Sequence, residues 1–408
     1  MSSHKNKSHA DWKAITKLFT HDRKNIHMGA SQFVVSHPKP VHEAIDKYRK
    51  QLDKDPVQYT EKVENEYMQR VREAAAQYLQ MENPDDIAVT DSTTMGLGLI
   101  YTALNLQPGQ EILTTDHDHY SQHEAIRMAT GRTGASFRRI RLFESLSSVS
   151  KEEIVLSVKE SIRENTRVLG ITWVHSSSGL KMPVPEIAAL VREINVGRSE
   201  ANKVLILLDA VHGFGIEKES FGELGVDFFI TGCHKWLYGP RGTGIIAAKR
   251  SAWQTVTPII PSFTEVMDKV IAEEERPKEM DGKQMTPGGF HSLEYRWALC
   301  DAFHWVMDMG KEAIWERVHE LNRRCKEGLA EMEHVVVHTP LSDELSAGII
   351  SFDIAGYSTE EAVQALLDKG VIATASPYKT SWTRFTPGII NMEEDIDKAL
   401  EVVQSLKK

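Results

Sequence analysis

Short runs of apolar, mostly β-branched residues alternate with longer amphipathic stretches through the middle of this chain, the pattern of parallel strands joined by crossover helices. The runs fall at 87–90, 111–115, 137–142, 168–174, 204–209, 228–231 and 244–248, and each is expected to be a strand. Between them, apolar positions return every three or four residues. In 63–79, for example, Val63, Tyr67, Val71, Ala75 and Tyr78 share one face, as a helix packed on a sheet requires. The style changes near residue 292, where a long helical stretch to Met309 leads into strands at 347–354, 371–375 and 383–385 and helices at 360–369 and 393–406. The expected organisation is an N-terminal segment (1–60) that packs with the small region, a large α/β region (61–291) and a small C-terminal α+β region (292–408). The charged, proline-containing stretch 258–287 suits a mobile or subunit-contacting excursion.

Composition narrows the classes of function. A chain of 408 residues with 41% hydrophobic content can bury a sizeable core. Its 48 Lys and Arg against 58 Asp and Glu leave a net charge of −10, which offers no long-range attraction to nucleic acid or an anionic membrane. Cys233, Cys300 and Cys325 are widely separated and form no CxxC pair, which fits a reducing compartment. Residues 1–22 carry neither the apolar core of a signal peptide nor paired arginines, and no apolar run is long enough to cross a bilayer. A soluble, cytoplasmic protein is expected.

Two expected strand ends carry the candidate chemistry. The run 204–209 ends in Asp209, followed by Ala210, Val211 and His212. The run 228–231 leads through Gly232 and Cys233 to His234 and Lys235, and then to a glycine-rich turn, Gly239-Pro-Arg-Gly-Thr-Gly244. Both ends reach the carboxyl edge of the sheet, where open α/β folds bind ligands. A lysine set among apolar and glycine residues loses basicity by desolvation, which suits an amine that forms an imine with an aldehyde. Taken singly, Asp209 reads as a helix cap and Lys235 as a solvated surface residue. Together, and with His212, His234 and the glycine turn, they read as a site. Upstream, Thr90-Asp-Ser-Thr93-Thr94-Met-Gly96 follows a strand and opens a helix, so its amides and hydroxyls either bind a phosphate or simply cap the helix.

These motifs resemble the class V branch of pyridoxal-5′-phosphate (PLP) enzymes, which holds cysteine desulfurases, isopenicillin N epimerases and related lyases and aminotransferases. The resemblance spans nearly the whole chain. It implies a type I (aspartate aminotransferase-like) fold, with a large, mostly parallel seven-stranded sheet domain and a small α+β domain, in a homodimer with shared active sites. It also implies PLP held by Lys235 as a Schiff base, with Asp209 on the pyridine nitrogen so that the ring acts as an electron sink. His212 would meet the ring's O3′ or the imine, and His234, Thr93 and Thr94 the phosphate, with Thr231 another cofactor contact. The stretch 109–120 matches the family pattern whose last aromatic stacks on the ring, which points to His119, with His117 and Tyr120 as near alternatives. A zinc site of His117, His119 and His123 is a competing reading, although a strand-to-helix junction would aim the three rings apart.

Ser176 lies in a turn, 173–179, that the resemblance puts near O3′, and Trp173 stands where many relatives have His. Thr286, before a long helix, would reach the phosphate of the neighbouring subunit's cofactor or merely belong to a capped helix start. Arg384, in 383–395, would grip the substrate α-carboxylate with its planar fork, a geometry Lys cannot reproduce. Ser31 and Gln32 would line the substrate entrance. Desulfurases carry a loop cysteine shortly before this arginine, and 374–381 has none, which sets a persulfide-forming desulfurase aside.

The resulting expectation is an isopenicillin N epimerase-like enzyme that removes a proton from Cα of an amino acid with Lys235 as base, giving epimerisation or C–S (β) elimination. Transamination and PLP-dependent oxidative deamination are alternatives within the class. A catalytically silent PLP-fold binding protein belongs to another class and is disfavoured by the intact Asp209, His234 and Lys235 and by the lack of a basic DNA-binding region. A nicotinamide oxidoreductase would need its glycine fingerprint in the first βα turn, and residues 239–244 are not that turn.

Overall fold

A computed structural model describes residues 10–29 and 35–407; Ser31 and Gln32 lie outside the described residues. All seven runs of the large region become strands of one sheet: β1 (Ile87–Thr90), β2 (Glu111–Thr115), β3 (Ser136–Ile140), β4 (Thr166–Thr172), β5 (Leu205–Asp209), β6 (Phe228–Gly232) and β7 (Gly244–Ala248). Their order is β1-β7-β6-β5-β4-β2-β3. Only β7 runs antiparallel to its neighbours, β1 and β6. Every strand but edge strand β3 is buried along its whole length, which is why these runs are continuously apolar rather than alternating. β4 stops at Thr172, before the end of its apolar run. Trp173 and Val174 continue past the ladder, where the Trp173 amide still donates to the Asp209 carbonyl and Val174 bridges to Lys181.

Helices α1 (Lys39–Lys54), α2 (Pro56–Leu79), α3 (Thr93–Ala103), α4 (Tyr120–Thr133), α5 (Lys151–Ser161), α6 (Val184–Ile194) and α7 (Leu293–Met309) belong with this sheet. Asp55 ends α1 and caps α2 by accepting from the Gln58 amide, with Pro56 as the first helical residue. α7 packs on α1 and α2 around Trp297, whose ring lies 5.3–6.0 Å from those of Tyr48, Tyr59 and Tyr67. Gly96 lets α3 press on the sheet: a Cβ there would come within 2.7 Å of Ile230 Cγ2. That close approach brings the start of α3 to the carboxyl end of β6.

In the small region, α8 (Lys311–Ala330), α9 (Thr359–Asp368) and α10 (Glu393–Gln404) cover an antiparallel sheet of β8 (Val335–Val337), β9 (Ile350–Ile354), β10 (Thr374–Ala375) and β11 (Thr383–Phe385), ordered β10-β11-β9-β8. The run 371–375 is not one strand. Val371–Ile372 pairs in parallel with Ile26–His27 in a separate ribbon, and only Thr374–Ala375 joins the four-stranded sheet. The N-terminal segment thus touches the small region through Ile26–His27, while α1 packs on the large one. The stretch 258–287 contains short helices at Glu265–Ile271 and Gly282–Met285, with Ile271 exposed. Among the described residues, no helix is long and apolar enough to cross a membrane.

Candidate active site

The carboxyl ends of β4, β5 and β6 and the start of α3 surround a cavity of about 160 Å3. β5 delivers Asp209 to its floor and β6 delivers His234 and Lys235 to its wall, so the two strand ends singled out in the sequence do meet. Asp209 is buried, and burial pushes its carboxyl up to about 6, against the opposing pull of the Val211 amide at 3.1 Å and of Lys235. Desolvation brings Lys235 down to about 8, with Asp209 opposing and Arg384 reinforcing the shift. Lys235 Nζ stands 3.0 Å from His212 Nε2. His212 is itself buried and held well below the ordinary imidazole range, chiefly by desolvation.

Two of the three alternatives for a stacking ring line the cavity. His119 caps α4, taking the Ser121 amide on Nδ1 at 3.3 Å, and meets Tyr378 edge-on at 6.2 Å between ring centres. His117 lines the cavity too, but its face is covered by Phe143, parallel at 4.4 Å. Tyr120 is 71% exposed and is not part of the lining. His123 directs Nε2 to the Thr115 carbonyl at 2.8 Å, so the three imidazoles of the zinc reading serve three different partners.

At the start of α3, Ser92 caps the helix by accepting from the Met95 amide, and with Ser92 and Thr93 in the lining the positive end of the helix dipole lies at the cavity. Thr94 lines the cavity. Thr93 lines it as well, but its hydroxyl accepts the Gly232 amide at 2.7 Å and so ties α3 to β6. Thr231 is not in the lining. Strand alternation sets it on the same face as Phe229, and its hydroxyl donates to the Gly232 carbonyl at 3.0 Å. Thr286 is also elsewhere: buried at the end of the Gly282–Met285 helix, it accepts from the Val89 amide and donates to the Gly282 carbonyl, both at 3.1 Å. It lines a separate cavity of about 410 Å3 beside Arg72 and Phe263.

On the side facing the small region, Ser176 Oγ and Tyr378 Oη are 2.6 Å apart. Behind them the buried Arg384 donates from Nη1 to the Ser176 carbonyl at 2.6 Å and from Nη2 to the Ala375 carbonyl at 2.8 Å, while its Nε has no partner among the described residues. Burial lowers Arg384 to about 10, and the guanidinium remains charged. Tyr378 and Thr172 are lining residues that the sequence did not reveal. Trp173 does not reach the cavity; it packs over Gly213, where a Cβ would come within 2.4 Å of the indole.

This donor set fits PLP. His234 Nδ1 and Thr172 Oγ1 are buried in the lining with no partner among the described residues, next to a desolvated amine, a buried carboxylate and a helix start. A cationic ring nitrogen would suit Asp209, and a phosphate would suit the start of α3 with Thr94 and His234. None of the three cysteines lines the cavity. Burial pushes the Cys300 thiol up to about 11, and Cys233 and Cys325 are driven higher still.

The family model for class V aminotransferases matches residues 35–397. A probable cysteine desulfurase of Halalkalibacterium halodurans is 25% identical over 350 residues, 83% of this chain and 81% of that protein. Isopenicillin N epimerase of Streptomyces clavuligerus is 22% identical over 379 residues, 90% of this chain and 92% of the epimerase. Among solved structures, the cystine C-S lyase C-DES in complex with its product cysteine persulfide superposes with a TM-score of 0.83 at 19% identity, covering 95% of this chain and 99% of the lyase. The apo cysteine desulfurase of Thermococcus onnurineus NA1 gives 0.81 at 18% identity, with 97% of each chain covered. The structural likeness extends the type I PLP-enzyme fold to this chain. With the matched family and the site's chemistry in agreement, the chain belongs to the class V aminotransferase family and is a PLP-dependent enzyme.

Proposed function

We propose that the enzyme acts at Cα of an amino acid, with Lys235 as cofactor attachment point and base, and that the outcome is epimerisation or β-elimination. One observation carries this reading: a desolvated lysine lowered to about 8 shares a cavity with a buried carboxylate and a phenol, Tyr378, and with no thiol. When bound, PLP supplies the electron sink that makes the Cα proton removable. Asp209 would hold a proton on the ring nitrogen, and His119 would cover the ring face. Thr94, His234 and the α3 amides would anchor the phosphate. Lys235, unprotonated near neutral pH for an appreciable fraction of the time, would move the Cα proton. Tyr378, held at about 12 by burial, stays protonated and would offer a hydrogen to the substrate side of the site.

Arg384 does not itself line the cavity and is buried behind Ser176 and Tyr378, so its proposed role is to bind the substrate carboxylate once Tyr378 gives it access: the Ser176 and Ala375 carbonyls hold its plane, and Nε has no other partner among the described residues. Arg384→Lys is therefore expected to raise KM about ten- to a hundredfold for every α-amino acid substrate. Melting temperature, measured in parallel, separates this from the stability lost when the two carbonyls lose their donor. Replacing Cys233, Cys300 and Cys325 together by Ala is expected to leave kcat largely unchanged while lowering thermal stability, since all three are buried packing residues. A folded, PLP-loaded variant without activity would return the desulfurase reading. We also propose a homodimer, supported by the exposed Phe290, at 93%, beside the half-exposed Phe263.

The test of the function is a screen of L- and D-amino acids, including cystine and thioether amino acids, with products identified by mass spectrometry and chiral chromatography. The opposite enantiomer, or an oxo acid released with ammonia and a thiol (free cysteine persulfide in the case of cystine), is the expected product. A persulfide left on the protein, with alanine released, would contradict the proposal.

A further inference from the structure

Trp236 follows Lys235 directly and is buried, with the tip of its indole packed over Gly348, where a Cβ would come within 2.5 Å of the ring. Its Nε1–H donates to His212 Nδ1 at 3.2 Å. An indole nitrogen can only donate, so Nδ1 has to present a lone pair, and a neutral imidazole then carries its proton on Nε2. Nε2 in turn stands 3.0 Å from Lys235 Nζ. An ammonium at Nζ would set N–H against N–H across that contact, and an imidazolium at His212 would do the same against the indole. The pair of distances is satisfied when Nε2–H donates to the lone pair of an unprotonated lysine nitrogen.

We propose that Trp236 is a positioning residue that fixes His212 as the Nε2–H tautomer and so gives the Lys235 nitrogen a standing hydrogen-bond donor that favours its unprotonated form. The inference rests on Lys235 being the cofactor lysine only for its consequence in catalysis; the tautomer follows from the protein alone. Other charged and titratable groups face the same pair. Asp209 favours protonation of Lys235 and Arg384 opposes it, while Arg384, His119 and His234 all disfavour charge on His212. Trp236 differs from these in being directional: it selects which nitrogen of His212 bears hydrogen.

The test uses the holoenzyme. In protein labelled with ¹⁵N-histidine, with the His212 signals assigned by their loss in His212→Gln, the wild type is expected to show a protonated Nε2 and an unprotonated Nδ1 across pH 6–9. Trp236→Phe keeps most of the ring and removes the donor. It is expected to bring in the other tautomer and to raise the pH midpoint of the bound cofactor's visible band, which follows protonation of the linked Lys235 nitrogen, by about half to one pH unit. A wild-type His212 protonated on Nδ1, or an unmoved midpoint in a folded Trp236→Phe enzyme, overturns the proposal. If that variant does not fold, the wild-type tautomer decides alone. Borohydride labelling that misses Lys235 would instead defeat the functional reading and leave the tautomer result standing.

Discussion

Lys235→Ala is expected to abolish covalent attachment of PLP and to lower turnover by at least about a thousandfold, the effect of losing a positioned base together with the attachment point. The remaining lining, including Asp209, His119, Thr94 and His234, is left in place, so cofactor is expected to bind without a covalent link. The variant should stay folded, because removing the side chain relieves the desolvation that lowers Lys235 to about 8. Turnover on the substrate found by screening, read beside the visible spectrum, checks this. Activity close to wild type would remove Lys235 from the chemistry.

Asp209→Asn carries the second large effect. The amide has nearly the shape of the carboxylate but no charge, so it cannot keep a proton on the ring nitrogen. The cost is expected to be about a hundredfold or more in kcat, the usual scale for losing one preorganised charge against a developing one. Asp209 is buried at the end of β5 and its carboxyl is already pushed up to about 6, so burial alone disfavours its charge. A cationic ring beside it would offset that expense, which predicts that the variant binds PLP more weakly as well as turning over more slowly. Equilibrium dialysis and kcat measured on one preparation separate the two losses.

The sequence showed the core of this site because that core is local. Asp209 ends a buried strand and Lys235 follows shortly after another, and a continuous apolar run that leads to Asp, or to His-Lys and a glycine turn, is visible without knowing the fold. His119 was picked out by the family resemblance of 109–120, with His117 and Tyr120 beside it, and the structure places it as the cap of the helix that follows β2. Tyr378 was not. Its partner Ser176 is 202 residues away, and the loop that carries it was read only for a cysteine. Thr231 sits one residue from useful positions, yet alternation along β6 turns it onto the Phe229 face, and a run of buried residues gives no sign of which face is which. At Thr286 the hydroxyl is held within its own chain by Val89 and Gly282, contacts that no local pattern announces. The ribbon of Ile26–His27 with Val371–Ile372 escaped because two residues are too few to show a period.

The central claim is that Lys235 carries the cofactor. Reduction of the purified enzyme with borohydride, followed by proteolysis and mass spectrometry, fixes any imine where it stands. The expected result is one pyridoxyl group per chain on the peptide containing Lys235, with the yellow band of the native enzyme lost on reduction. A pyridoxyl group on any other lysine, or none in a protein that had bound PLP, would contradict it.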